Sequence, residues 1–408
     1  MPCARSGSGR AVEDSRLEVA DIFRNHFEAF RHRYVPTPSC ERVARDVMRC
    51  RTATLGGHLE MCTACGFARP AYNSCRNRHC PKCQALRQAR WVQQRMTRIL
   101  PAQYFHVVFT VPSELHGLFR LNRARLYDLL IKSAATTLDA LARDPKWLKH
   151  SVQLAITCVL HTWTRELQFH PHVHCIVSGG GLSFDGARWI AAPPTFLFPV
   201  HVLGTLFRGK FLAGLAALQA RSHLRDPDDA RAARRRRRRL HDTSWVVYAK
   251  RPFGGPEQVY RYLGRYTHRV AISNTRLLSA DPACVVFRTR GHATASCHPV
   301  EFIRRFLEHV LPNRFVKIRH FGLFAPVNVH TRLAQARHLL ATTAAGLPRD
   351  QPVAPPPTAS LVALPFDALL LALTGIDLGR CPNCHQPTMV RCPLPIDCRG
   401  PPPYLSPS

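Results

Sequence analysis

Three histidines alternate through "LQFHPHVHCIV", at positions 170, 172 and 174. Side chains along a strand alternate faces, so His170, His172 and His174 project to one side and Phe169, Val173, Cys175 and Val177 to the other. An apolar back and an imidazole front is how a sheet presents metal ligands. A polar sheet edge, with the histidines bonded to one another, is the bland alternative. A second segment with chemistry in it is "VYRYLGRYTHR", where Tyr262 and Tyr266 stand four apart and share one face of a helix beside Arg265 and Arg269. Alone, that pattern describes an ordinary amphipathic core edge. Combined with the histidines it describes a reaction. A metal on two histidines polarises a phosphoryl oxygen. A tyrosine hydroxyl, with a pKa of about 10 when unperturbed, becomes a nucleophile once cations stabilise its developing charge. Such a tyrosine attacks a DNA phosphate, expels the 3′ hydroxyl and retains the 5′ end covalently.

Cysteines form the third group. "CTACGFARPAYNSCRNRHCPKC" contains Cys62-x-x-Cys65 and Cys80-x-x-Cys83, two knuckles whose four thiolates can surround one zinc ion tetrahedrally. Cys75 and His79 lie between the knuckles as substitute ligands, and Cys40, Cys50 and His58 are candidates for a second ion. Arg76, Arg78, Lys82 and Arg87 make this ribbon basic and suited to DNA; solvated arginines on a structural clip are the alternative. Near the end of the sequence, Cys381-x-x-Cys384 with His385, Cys392 and Cys398 is a candidate second zinc site, or half of one completed elsewhere.

These groups need a scaffold. Lys plus Arg is 57 against 26 Asp plus Glu, so the net charge of +31 points to a polyanionic partner, nucleic acid first. The 16 cysteines without an export signal argue for a reducing compartment, and no apolar run is long enough to span a membrane. Apolar spacing predicts helices over roughly 17–35, 84–100, 123–143, 194–220, 256–274 and 299–310, and strands over 104–112, 152–163, 167–181, 244–253 and 283–290. The strands on either side of residue 165 read as antiparallel neighbours. Residues 225–239, "RDPDDARAARRRRRR", read as a solvated charged insertion, and the proline-rich stretch 347–365 as a linker. Helices and strands do not alternate regularly, so the fold class is antiparallel α+β. The expected division is an N-terminal helix with its arm (1–39), a zinc-binding DNA-recognition domain (40–100), a nuclease domain (101–330), a helical, proline-rich linker (331–375) and a cysteine-rich tail (376–408).

With "NSCRNRHCPKCQ", "HVVFTVP", "LHTW", the His172-Val173-His174 motif and "YLGRYTHRVAIS" in that order, the chain resembles the rolling-circle insertion-sequence transposases of the two-tyrosine HUH type with an N-terminal zinc-binding domain. The resemblance spans roughly residues 40–325. It implies a ferredoxin-like nuclease core, Mg²⁺ or Mn²⁺ on His172 and His174, and nucleophilic Tyr262 and Tyr266. It also implies cleavage of single-stranded DNA at element ends through 5′-phosphotyrosine intermediates. His170 is the candidate third ligand, with Gln258 and His268 behind it. The expected partners are single-stranded element ends and target DNA, with no membrane role, a homo-oligomer on DNA and a cytoplasmic, nucleoid-associated location. A replication initiator or relaxase uses the same chemistry, and a non-catalytic zinc-dependent DNA-binding protein derived from a transposase is the alternative of another class.

Overall fold

The computed structural model describes residues 17–83, 91–92, 94–195, 197–250, 271–344, 368, 370–372, 375 and 377–394. Tyr262, Tyr266, Arg87, Arg265 and Arg269 lie outside the described residues, as do Gln258, His268 and Cys398.

A six-stranded antiparallel sheet forms the centre, in the order β11-β4-β5-β3-β7, with β6 paired to β5. Its strands are β3 (Tyr104–Thr110), β4 (Val152–Trp163), β5 (Phe169–Ser183), β6 (Trp189–Ala191), β7 (Val247–Lys250) and β11 (Ile318–Gly322). β-branched and aromatic residues dominate β3 and recur through β4, as strands buried on both faces require. The residues of β5 that pack into the main core are Phe169, Val173, Cys175 and Val177, the face opposite the histidines that alternation predicts. β4 and β5 pair antiparallel, also as read from the sequence.

Two long helices, Arg123–Arg143 and Val200–Ala220, cover that apolar face through Leu126, Leu130, Leu138, Phe207 and Phe211. The other face is divided. At one end Tyr104, Ala155, Val159 and Ile176 meet Leu323, Phe324, Leu333 and Ala336, the last two from the helix Arg332–Ala344. At the other end this apolar layer gives out and the histidines begin.

The N-terminal helices Val19–Arg33 and Pro38–Arg49 pack on the helix Pro299–Glu308 and on the small antiparallel sheet β8 (Leu277–Ala280), β9 (Val285–Arg288) and β10 (Thr294–Cys297). Phe23 lies edge-on to Phe306 at 5.3 Å, so the first helix shares a core with the helix Pro299–Glu308. A third sheet, in the order β12-β1-β2, joins β1 (Gly57–Cys62) and β2 (Ala68–Tyr72) to β12 (Met389–Pro393) from the far end of the sequence.

The arginine run departs from the sequence reading. Residues Ala230–Asp242 form a helix capped by Asp229, whose carboxylate accepts from Ala232 N at 2.7 Å. Arg236 is buried and holds Asp226 (2.5 Å) and Asp228, while Leu240 enters the main core. One buried arginine with its two ion pairs, and one leucine, give the insertion an inner face; Arg234, Arg235, Arg237, Arg238 and Arg239 remain exposed. Among the described residues no helix is long and apolar enough to cross a membrane.

Candidate active site and metal centres

His161, His172 and His174 converge, with one ligand nitrogen from each within 4.8 Å of the others. His161 arrives from β4, directly opposite His172 across the β4–β5 pair, and Trp163 stacks on it at 4.7 Å. The third member of the group is therefore His161 and not His170. Residues opposite one another on paired strands have Cβ atoms about 4.5–5.5 Å apart, so the cross-strand residue fills the position beside His172 and His174. His170 projects from the same face but sits one step further along β5, against His116 at 5.9 Å. "LHTW" contained the signal; reading it required the strand register.

Two of the three imidazoles are held by neighbours, and a carbonyl places the proton of one. His172 Nδ1 donates to the carbonyl of His170 at 2.7 Å, which frees its Nε2 lone pair. His174 Nδ1 lies 2.8 Å from Nε2 of His106, a buried histidine on β3 that sequence reasoning missed. Burial pushes His172 and His106 down to about 4 and His174 well below its ordinary value, so all three are neutral at neutral pH. Neutral imidazoles are what a metal requires. The donor set fits a divalent ion: three nitrogens, no carboxylate among the described residues, and open space in front.

That space is a cleft of about 360 Å³, within the range of small-ligand sites. His170, Arg165 and Arg276 also line it, together with Ala271, which follows directly on the tyrosine-bearing segment 251–270. The residue before that segment, Lys250, pairs with His106 across β7 and β3. Arg276 donates to the carbonyls of Arg288 (2.7 Å) and Arg165, fixing a positive wall on the cleft.

The cysteines group differently from their order in the sequence. Cys62, Cys65, Cys80 and Cys83 do not share one point. Cys80 and Cys83 gather with Cys50 and Cys75, and Cys62 and Cys65 gather with Cys381 and Cys384, each set having its sulfurs within 4.8 Å. In the first set Cys83 Sγ lies 3.4 Å from Cys50 Sγ and 3.6 Å from Cys75 Sγ. The knuckle spacing fixes which two sulfurs sit together but not which pair they face, and here the strands β1 and β2 carry the two knuckles apart. Two other candidates are committed elsewhere: His79 Nε2 accepts from Leu311 N at 3.1 Å, and Cys40 approaches Leu307 O at 3.7 Å. His58 faces Glu60, at 3.6 Å.

The basic ribbon is partly structural. Arg78 donates to the carbonyls of Phe315 (2.6 Å) and Pro312 (2.8 Å), and Lys82 pairs with Glu18 at 2.6 Å. Both spend their charge inside the protein, whereas Arg76 is exposed.

Comparison with known proteins identifies the family. A family model described as "Putative transposase" covers residues 155–332, and one described as "Transposase zinc-binding domain" covers residues 22–111. The chain is 43% identical over 398 residues to "Putative transposase y4qJ" of Sinorhizobium fredii, covering 94% of this chain and 97% of that protein. It is 26% identical over 300 residues to the transposase for insertion sequence element IS801 of Pseudomonas savastanoi pv. phaseolicola, covering 68% of each. No solved structure matches. The chain belongs to the rolling-circle insertion-sequence transposases that carry an N-terminal zinc-binding domain.

Proposed function

We propose that the protein cuts and rejoins single-stranded DNA at the ends of its insertion sequence through 5′-phosphotyrosine intermediates, using His161, His172 and His174 as the metal-holding group and Tyr262 and Tyr266 as nucleophiles. The observation that carries this reading is the convergence of the three histidines in a basic cleft walled by Ala271, next in sequence to the tyrosine segment. A divalent ion held by the histidines would polarise a phosphoryl oxygen and offset its charge.

The protein's own residues supply the rest. Arg165 and Arg276 attract the DNA backbone into the cleft. The tyrosine hydroxyl oxygen attacks phosphorus, the bond from phosphorus to the 3′ oxygen breaks, and the phenolic proton is balanced by protonation of the departing 3′ hydroxyl. The 5′ phosphate stays on the tyrosine, so a later 3′ hydroxyl reverses the step without ATP. Two tyrosines allow a second strand to be cut while the first end is held. The names of the relatives favour transposition over replication or conjugative transfer as the use of this chemistry.

Digestion of the protein after reaction with an element-end oligonucleotide, followed by mass spectrometry, tests the assignment. A nucleotide attached through its 5′ phosphate to the peptide carrying Tyr262 or Tyr266 is expected. Attachment at another residue, or a cut strand with no attachment, would overturn it.

A further inference from the structure

We propose that Cys62, Cys65, Cys381 and Cys384 form a second structural zinc site, made jointly by the two ends of the described chain, and that this ion clamps the C-terminal tail onto the zinc-binding domain. The inference rests on the zinc-binding reading of that domain and extends it, because the matched zinc-binding region ends at residue 111.

Geometry supports a metal over a chance meeting of thiols. Cys62 Sγ lies 3.6 Å from Cys384 Sγ, and Cys65 Sγ lies 3.7 Å from Cys381 Sγ. Four sulfurs placed about 2.3 Å from one zinc ion stand about 3.8 Å apart along the tetrahedron's edges. A disulfide would need about 2.05 Å.

The two half-sites are also built alike. In the first, Gly66 N donates to Cys62 O (3.1 Å) and Cys62 N to Phe67 O (2.8 Å), with Gly66 at φ +72°. In the second, His385 N donates to Cys381 O (2.9 Å) and Cys381 N to Gln386 O (2.8 Å), with His385 at φ +60°. Each knuckle is thus closed by a left-handed residue directly after its second cysteine. A histidine tolerates that conformation poorly compared with glycine, so the turn at His385 is held against a local cost. Backbone N–H groups also face the sulfurs: Cys65 N lies 3.4 Å from Cys62 Sγ and Asn383 N lies 3.4 Å from Cys381 Sγ. Such donors stabilise thiolate ligands from outside the metal shell.

Away from the cysteines the tail is held mainly by backbone bonds, such as Thr63 N to Thr388 O at 3.0 Å. Among its described residues 377–394, only Cys381 and Leu394 are buried. β12 supplies one five-residue edge pairing to β1, Met389 opposite Cys62 through Pro393 opposite His58. An edge strand that short, with Leu394 its one buried apolar side chain among the described residues, is marginal by itself, so the binding energy of the ion becomes the docking energy of the tail.

The test uses the full chain with a protease site inserted after Pro357, in a His172→Ala/His174→Ala background so that zinc at the histidines is not counted. Zinc is measured by mass spectrometry, and the cleaved protein is run on size exclusion with and without a zinc chelator. The expected result is one zinc for each of the two cysteine groups, and a tail fragment that stays with the body until chelator is added. Cys381→Ser/Cys384→Ser should lose one zinc and release the fragment without chelator, while Cys384→His, which keeps a ligand, should retain both. A single zinc in the parent protein, or a tail retained in the double serine variant, would overturn the proposal. So would release by reductant alone, which marks a disulfide. No zinc in any form would instead refute the zinc-binding reading beneath it.

Discussion

Replacing His106 with leucine isolates a neighbour of the metal-holding group without touching a ligand. His106 Nε2 sits 2.8 Å from His174 Nδ1, the rings nearly parallel at 8°. His174 can present Nε2 beside His161 and His172 while its Nδ1–H donates to His106, which fixes both tautomer and ring orientation. Leucine removes the acceptor, leaves a buried N–H without a partner and lets the imidazole turn. Loss of such a support typically weakens metal binding 10–100-fold, which is about 1.4–2.8 kcal/mol. Calorimetric titration of Mn²⁺ into the DNA-free protein should therefore show that drop for His106→Leu, a larger one for His161→Ala, and partial recovery for His106→Gln. Wild-type affinity in a folded His106→Leu protein would refute the reasoning, because His174 would then be oriented by something else.

The remaining expectations concern acid, strain and metal choice. Burial pushes His309 from 6.5 down to about 4, against its bond to the Leu167 carbonyl and the carboxylate of Glu308, with Arg123 and Arg304 acting in the same direction as burial. The unfolded chain then binds more protons between those pH values, so about 3 kcal/mol of stability is lost as pH falls through that window. Urea unfolding from pH 6.5 to 4 should show a shallower loss for His309→Gln, and an unchanged slope would count against the assignment. At Gly322, with φ +60°, an added Cβ would lie 1.9 Å from Leu154 O in the β11–β4 pair. Gly322→Ala should cost at least about 2 kcal/mol, seen as a lower thermal midpoint; an unchanged midpoint would contradict it. Imidazole donors suit transition ions better than Mg²⁺, which prefers oxygen. Half-maximal adduct formation should therefore need less Mn²⁺ than Mg²⁺, and the reverse order would point to oxygen ligands at the site.

What could be read from the sequence was whatever depends on local period. Alternation along 169–177 placed the histidines on one face of β5, and apolar spacing located the helix 123–143 at its observed limits. What could not be read depends on residues distant in sequence. His161 becomes a partner of His172 only through the strand register, and His106 reaches His174 diagonally from the other neighbouring strand. The cysteine knuckles announce pairs of ligands, yet pairing Cys62 with Cys384 spans almost the whole chain. The arginine run looked fully solvated because its composition hides Arg236, whose burial follows from Asp226 and Asp228 folding back onto it.

The central claim is a metal-dependent covalent bond between a tyrosine of this chain and the 5′ end of cut DNA. The most direct measurement mixes the protein with labelled single-stranded element ends and Mn²⁺ and reads a denaturing gel. The account predicts a slow-migrating protein–DNA band that is lost on chelation, in His172→Ala and in Tyr262→Phe/Tyr266→Phe, and retained by at least one single Tyr→Phe variant. DNA binding with no such band under any metal, or a band that persists in the double tyrosine variant, would contradict it.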